Sequence, residues 1–182
     1  ARLESMEAVG VFAAGNIYTG KFVKLSGLGA VLDWGTPFSS RPLAMKGFFD
    51  YTSKVIDKAK DKPEMMGKQD ICQIQVFLTD WEGQFQINTT AHVFVDVEND
   101  PNIIAYGKIE SNVNTSTKGN LVNGYEPFTI KLDYRDLTRK PTMIVIVAAA
   151  SKYGDYFTGG IGSTLYLDEF SFVYNPSELD AE

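Results

Sequence analysis

Hydrophobic and polar residues alternate with a period of two along much of the chain, which is the pattern of β-strands with one buried face. Residues 71–81 show it most clearly, with Cys72, Ile74, Val76 and Leu78 on one face and polar or aromatic residues on the other. Residues 143–150 instead form a continuous apolar run, which predicts a strand covered on both faces. Similar strands are predicted at residues 43–52, 87–96, 103–110, 128–134 and 165–174.

Turn-forming pairs separate these segments, among them Ser26-Gly27, Asn123-Gly124 and Gly159-Gly160. About ten short strands with such spacing predict an all-β fold, a two-sheet antiparallel β-sandwich. Residues 53–66 are the one helix candidate. Their alternating Lys and Asp residues fit an exposed hairpin tip better than a helix.

The length of 182 residues suits a single domain, which we place at residues 1–176, with a frayed acidic tail at residues 177–182. The chain starts at Ala1 rather than Met, and we expect it to be part of a longer protein. No apolar run is long enough for a transmembrane helix, so direct membrane insertion is not expected.

The net charge of −6 and the absence of a basic stripe argue against nucleic acid as a partner. Cys72 is the single cysteine, so no intrachain disulfide can form, and its apolar neighbours predict a buried, inert thiol. Because His92 is the single histidine, a catalytic triad and a zinc site both have little support.

Two segments resemble motifs of a known family. Residues 14–20 read Ala-Gly-Asn-Ile-Tyr-Thr-Gly, and near the other end Pro141-Thr142 leads into an apolar strand. Residues 154–160 then read Gly-Asp-Tyr-Phe-Thr-Gly-Gly, followed by Gly162-Ser163 and a strand that carries an acidic pair, Asp168 and Glu169. Over essentially its whole length the chain resembles the putative carbohydrate metabolism domain family, with specific motifs only near the two ends.

The resemblance implies a jelly-roll domain, similar to galactose-binding domains and carbohydrate-binding modules. It also implies an extracellular or outer-surface location in gut bacteria, usually behind an upstream immunoglobulin-like domain. Some members are labelled glycoside hydrolases, but the family offers no established catalytic residues to carry over. The resemblance therefore indicates sugar handling without identifying a reaction.

The first candidate site is the polar face of residues 71–81, where Gln73, Gln75 and Trp81 combine amides with an aromatic ring. Sugar recognition uses both kinds of group. We expect residues 87–96 to form a hairpin with this strand, so that Gln86 and His92 lie beside it. A solvated sheet face, with Trp81 as a plug at its rim, is the alternative.

The second candidate site is the loop at residues 152–162, where Tyr153, Tyr156 and Phe157 could form an aromatic platform beside Asp155. The alternative is a tight crossover in which the glycines serve only the chain path.

A calcium site is the third candidate. In a regular strand Asp168 would share a face with aromatic residues, and an unpaired carboxylate there needs a cation or hydrogen-bond donors. Glu4 and Glu7 are candidate co-ligands, and such oxygen ligands suit Ca²⁺. A bulge that turns Asp168 outward would remove the need for a metal.

These observations favour a non-catalytic domain that binds a polysaccharide or oligosaccharide. A glycoside hydrolase with an Asp/Glu pair is the first alternative, and it requires two carboxyl groups across a cleft. A structural spacer or interaction domain is the second, and it would have a flat, featureless surface.

Overall fold

A computed structural model describes residues 1–179, and the chain there is built almost entirely of short antiparallel strands. The described strands are β1 (Arg2–Glu4), β2 (Met6–Ala8), β3 (Val11–Ala13), β4 (Asn16–Tyr18), β5 (Gly20–Ser26), β6 (Gly29–Trp34), β7 (Thr36–Pro37), β8 (Ala44–Thr52), β9 (Lys58–Ala59), β10 (Cys72–Thr79), β11 (Phe85–Asn88), β12 (Ile103–Ser111), β13 (Glu126–Lys131), β14 (Asp133–Tyr134), β15 (Met143–Ala149), β16 (Thr158–Gly159) and β17 (Thr164–Val173). Single 3₁₀ turns lie at Pro63–Met65, Thr115–Thr117, Gly154–Tyr156 and Pro176–Glu178. Within residues 1–179 no helix has the length and apolar character needed to cross a membrane.

Two sheets form the sandwich. One has the strand order β1-β17-β8-β13, and the other has the order β14-β12-β10-β15-β4, with β7 also pairing with β15. Every pairing in these two sheets is antiparallel, and strands from both ends of the chain lie in them. The predicted all-β antiparallel sandwich is therefore confirmed.

The main core fills the space between these two sheets. Ile74, Val76 and Leu78 of β10 are fully buried there and pack in one cluster with Met45 and Tyr51 of β8. The Tyr51 hydroxyl donates a hydrogen bond of 2.9 Å to the Ala150 carbonyl, so its polar end is satisfied inside the core. The alternation in residues 71–81 thus identified the buried face correctly.

A second core lies on the opposite face of the larger sheet, beneath a three-stranded sheet with the order β11-β6-β5. Phe77, Ile103 and Val145 contribute from the larger sheet, and Trp34, Trp81 and Ile87 complete the buried cluster. The central strands β10 and β15 are consequently covered on both faces. This confirms the interpretation of residues 143–150 as a strand buried on two sides.

The predicted hairpin between residues 71–81 and 87–96 is wrong. The neighbours of β10 are β12 and β15, whereas β11 pairs with β6 in the covering sheet. The predicted strand also ends at Asn88, because Asn88 and Val93 exchange backbone hydrogen bonds across a tight turn in which His92 has a φ of 53°.

Strand β17 is not regular. Its register gains one residue between Asp168 and Ser171, and Glu169 there has a φ of 50°. Asp168 remains exposed, and its carboxylate accepts a 3.0 Å hydrogen bond from the Glu169 backbone N–H, whereas Phe172 packs against the main core. Of the two alternatives left open by the sequence, the structure has the bulge, which shifts the alternation so that Asp168 and Phe172 do not share a face.

The two remaining segments are a loop and a tail. Residues 53–66 contain no α-helix but form a hairpin-like excursion, closed by an antiparallel bridge between Val55 and Gln69. The predicted tail begins in the turn Pro176–Glu178, where the Asn175 side chain accepts a hydrogen bond from the Ser177 N–H. Residues 180–182 lie outside the described part of the chain.

Candidate functional site

A groove of about 400 Å³ lies between the outer face of the larger sheet and the hairpin β5–β6. We call it the outer groove. Its walls come from the N-terminal segment, the hairpin, strands β10 and β15, and the loop that follows β15. The lining residues are Phe12, Ala13, Ala14, Asn16, Tyr18, Phe22, Leu25, Leu28, Gly29, Ala30, Leu32, Trp34, Gln73, Gln75, Thr89, Val147, Ala149, Ser151, Lys152, Gly154, Asp155 and Phe157.

The floor of the outer groove is set by strand register. Neighbouring strands lie about 4.8 Å apart, so residues in register form rows across a sheet. Two such rows run across β4, β15, β10 and β12, and their members on β4, β15 and β10 line the groove. The two rows are Asn16–Ala149–Gln73–Glu110 and Tyr18–Val147–Gln75–Lys108.

Glu110 anchors the first row. Its carboxylate accepts hydrogen bonds from Gln73 at 2.8 Å and from Lys108 and Lys152 at 2.9 Å each. Desolvation by burial opposes its ionisation, but these three hydrogen bonds outweigh that effect and lower the pKa of Glu110 to about 2. Because a carboxylate can only accept, Gln73 must turn its amide nitrogen toward Glu110 and leave its amide oxygen available.

Several polar groups of the groove have no partner within residues 1–179. Gln75 accepts a 3.3 Å hydrogen bond from the Tyr106 hydroxyl, which leaves its amide nitrogen free to donate. The Tyr18 hydroxyl makes no hydrogen bond, and burial raises its pKa. The Trp34 indole N–H is buried and also lacks an acceptor. The floor therefore offers free donors and acceptors side by side.

The opposite wall is apolar and open to solvent. Phe22, Leu25 and Leu28 of the β5–β6 hairpin are 56%, 77% and 64% exposed, respectively. Such a combination of an apolar wall and a polar floor is typical of small-molecule and sugar sites.

The two motifs that carry the family resemblance meet at one end of the groove. A Cβ atom built on Gly154 would lie 2.2 Å from the Cβ of Ala14, and one on Gly15 would lie 2.3 Å from the backbone nitrogen of Glu4. Only glycine permits these approaches. Gly154 lets the loop approach the N-terminal segment at Ala14, and Gly15 lets that segment pack closely on its own first strand at Glu4.

A buried carboxylate, Asp70, holds the two ends of that loop. Its Oδ2 atom accepts hydrogen bonds from the Ser151 hydroxyl at 2.6 Å and the Gly160 N–H at 2.8 Å. Its Oδ1 atom accepts a 2.8 Å bond from the Ile71 N–H, and burial raises its pKa. Asp70 could not be identified from the sequence, since nothing local marks a carboxylate whose partners lie about eighty to ninety residues away.

The aromatic loop residues do not form a bare platform, because lysine ammonium groups lie over their rings. The Lys60 nitrogen is 4.7 Å from the centre of the Phe157 ring, and the Lys62 nitrogen is 4.5 Å from that of Tyr156. Tyr153 has the Lys62 ammonium at 5.6 Å. This end of the groove consequently presents positive charge held on aromatic rings.

The structure brings together part of the predicted site. Gln73, Gln75 and Asp155 all line the outer groove. The Asp155 carboxylate makes no hydrogen bond or ion pair in the described chain, and burial raises its pKa. Gln86 lies outside the groove, on the exposed side of β11, and donates to Asp33 at 3.0 Å. His92 stacks with Tyr156, with ring centres 6.4 Å apart, beyond the end of the groove.

Trp81 belongs to the second core rather than to the groove. Its side chain is 8% exposed and packs against Phe77 and Phe85, and its indole N–H donates to Asp100 at 3.1 Å. Of the two roles left open by the sequence, these contacts support the rim plug.

The three candidate calcium ligands have separate partners. Glu4 pairs with Arg2, Glu7 pairs with Lys58 at 2.5 Å, and Asp168 accepts from its own neighbour's N–H. Across residues 1–179 no three His, Cys, Asp or Glu residues are grouped so as to hold a metal ion. Calcium binding stays a prediction without an assembled set of ligands.

Comparisons with known proteins agree with the fold. A family model described as putative carbohydrate metabolism domain matches residues 1–173. No curated protein matches the chain. A crystal structure of a putative glycoside hydrolase from Bacteroides vulgatus is similar with a TM-score of 0.69 and 21% identity, covering 96% of this chain and 72% of that one.

A second crystal structure, of a putative glycoside hydrolase from Bacteroides thetaiotaomicron, is similar with a TM-score of 0.63 and 23% identity. The match covers 90% of this chain but 48% of that protein, so the chain spans about half of its length. At these identities the likeness concerns the fold. The family match extends over nearly the whole chain, and the chain belongs to the putative carbohydrate metabolism domain family.

Proposed function

We propose that this domain binds carbohydrate in the outer groove and does not itself catalyse a reaction. One observation carries the proposal: both motifs of the family resemblance and the amides of Gln73 and Gln75 line the same groove. Free amide groups on the floor match sugar hydroxyls, which both donate and accept hydrogen bonds. The exposed Phe22 and Leu25 side chains offer an apolar surface for the C–H groups of a sugar ring.

The alternatives have less support in the geometry. Hydrolysis with an Asp/Glu pair needs two carboxyl groups facing each other across the sugar, and Asp155 is the one carboxylate among the described groove-lining residues. A spacer would be expected to have a flat surface, whereas this face carries a groove of about 400 Å³. We extend the proposal to a secreted or surface-exposed glycan-handling protein, with an immunoglobulin-like domain upstream.

The test starts with a glycan array on the purified domain, followed by affinity measurements with the best ligand. Gln73→Ala and Gln75→Ala should each weaken binding about tenfold, the effect of losing one or two hydrogen bonds to the sugar. Gln86→Ala is the matched control, because Gln86 is a strand glutamine outside the groove, and its loss should leave affinity unchanged.

A second control separates folding from binding. Trp81→Ala should lower the free energy of unfolding by about 3–5 kcal/mol, as for a buried large aromatic residue. Thermal melting of every variant shows whether an affinity loss has this origin. An array without any bound glycan, or groove variants that bind like the wild type, would contradict the proposal.

A further inference from the structure

A second depression of about 560 Å³ adjoins the outer groove. The two share Phe12, Leu28 and Phe157 in their walls, so a chain-like ligand can pass from one to the other. Asp155 lines the first depression, and Lys60 lines the second. Amide and apolar side chains therefore line the outer groove on one side of the junction, and lysine side chains line the second depression on the other.

The lysines on and around this junction differ in whether a carboxylate neutralises their charge. Lys58 pairs with Glu7 at 2.5 Å, and Lys152 pairs with Glu110 at 2.9 Å. Lys60 and Lys62 make no ion pair within residues 1–179. Their ammonium groups lie over the rings of Tyr153, Tyr156 and Phe157. A ring face orients an ammonium group without cancelling its charge, so both lysines keep N–H donors for an anion.

Backbone hydrogen bonds fix the two segments that carry these groups. The Lys60 N–H donates to the Phe157 carbonyl at 3.4 Å, and the Asp61 N–H donates to the Tyr156 carbonyl at 3.2 Å. Strand β9 also pairs with β16 directly after the aromatic turn. The lysines and the rings are thus positioned together before any ligand arrives, which lowers the entropic cost of binding.

We propose that the ligand of the outer groove is an acidic glycan, whose carboxylate or sulfate group binds Lys60 beside Phe157 and Lys62 beside Tyr156. The inference rests on the proposed function and specifies its ligand class. The amides of Gln73 and Gln75 bind the hydroxyl groups of the sugar, and the two lysines bind its charge.

Nearby acidic groups weaken the attraction of anions to the two lysines. Asp57 is occupied, since its carboxylate accepts a 3.0 Å hydrogen bond from the Ile161 N–H. Asp61 lies between the two lysines in the sequence and adds a negative charge, and the chain carries a net charge of −6. Long-range attraction of polyanions is therefore weak, and an anionic ligand gains binding free energy only by direct contact with the ammonium groups.

The experiment compares ligands that differ only in charge. Polygalacturonate is measured against its fully methyl-esterified form, and dextran sulfate is measured against dextran, by calorimetry with the whole domain. We expect at least one charged member to bind about tenfold or more tightly than its neutral counterpart. The pair that shows the preference assigns the anion as carboxylate or sulfate.

Charge-neutral variants locate the effect. The double variant Lys60→Gln and Lys62→Gln should abolish the preference, and Arg at both positions should retain it. Lys131→Gln is the control, because Lys131 is an exposed lysine of β13 in the other sheet. Equal binding within both pairs, or a preference that survives the double Gln variant, would overturn this inference while leaving neutral glycan binding in place. Binding to no glycan at all would overturn the proposed function as well.

Discussion

Glu110 shows how one side chain orders the floor of the outer groove. Three donors converge on its carboxylate, so Gln73 has a single orientation, with its amide oxygen available to a ligand. Lys152, in the loop after β15, forms an ion pair with the same carboxylate. A single acidic residue thereby links the sheet to the loop at the end of the groove.

The lowered pKa of Glu110 predicts a pH dependence of stability. Its folded-state pKa of about 2 lies below the ordinary value of 4.5, so the stabilisation is full above pH 4.5 and is lost as the pH falls toward 2. Glu110→Gln should cost about 1 kcal/mol near neutral pH, because charge-assisted hydrogen bonds become neutral ones. Urea unfolding at pH 6.5 and pH 3 measures the cost of the Glu110→Gln substitution and the loss of stability on acidification.

Glu82→Gln provides the control, since Glu82 is exposed and its carboxylate makes no hydrogen bond or ion pair within residues 1–179. The wild type and this control should lose stability in parallel on acidification, and the Glu110 variant should lose less. If all three proteins lose the same stability on acidification, the hydrogen bonds to Glu110 do not contribute to the pH dependence of stability.

Individual residues were predicted unevenly. Gln73 and Gln75 could be proposed because alternation assigns them to the face opposite Ile74 and Val76. Trp81 lies on the same side of the chain, yet the sequence left its role open, because the residues that bury it come from β11 and from the loop that contains Asp100. Burial by a distant segment has no local signature.

Among the elements, the contact between the N-terminal segment and the loop after β15 determines the shape of the groove's end. Ala14 and Gly154 approach so closely that no larger residue fits at 154 without displacing one of the two segments. Asp70 fixes the loop from the other side through Ser151 and Gly160. The loop therefore has little freedom to adjust to a substitution.

Gly154→Ala should push the loop away from Ala14, weaken glycan binding about tenfold and destabilise the fold by about 1–3 kcal/mol, as overpacking does. Gly83→Ala is the control, since a Cβ atom there would meet no atom within 4 Å, and it should change stability by less than about 0.5 kcal/mol. Affinity and thermal melting of both variants test the contact. Wild-type affinity in Gly154→Ala would mean that the loop position does not matter for the ligand.

Strand existence was easier to predict than strand pairing. Residues 72–79, 103–111 and 143–149 alternate or are continuously apolar, and each forms a strand near the expected bounds. The partners could not be inferred, because β10 lies between β12 and β15, which follow it by about thirty and seventy residues. The hairpin β5–β6 was missed altogether, since all but the last residue of β5 are exposed and no face alternates.

At the scale of the whole molecule, the larger sheet is the central layer. The main core covers one of its faces, and the second core and the outer groove share the other. A solvated outer face, as the sequence alone would allow, would have left Gln73 and Gln75 on an open surface. The covering sheet β11-β6-β5 converts that surface into a groove with an apolar wall.

This layering predicts the pattern of amide hydrogen exchange. Amides of β10 and β15 should exchange slowest, because both strands are paired on each side and covered on both faces, whereas the exposed edge strand β5 should exchange fastest. A glycan bound in the outer groove should slow exchange in β5, β6 and the loop at residues 152–157 and leave β8 and β13 unchanged. Exchange measured by mass spectrometry with and without the array-selected glycan resolves these segments. Protection confined to β8 and β13 would place the ligand on the opposite face of the sandwich, because those strands belong to the other sheet and do not line the groove.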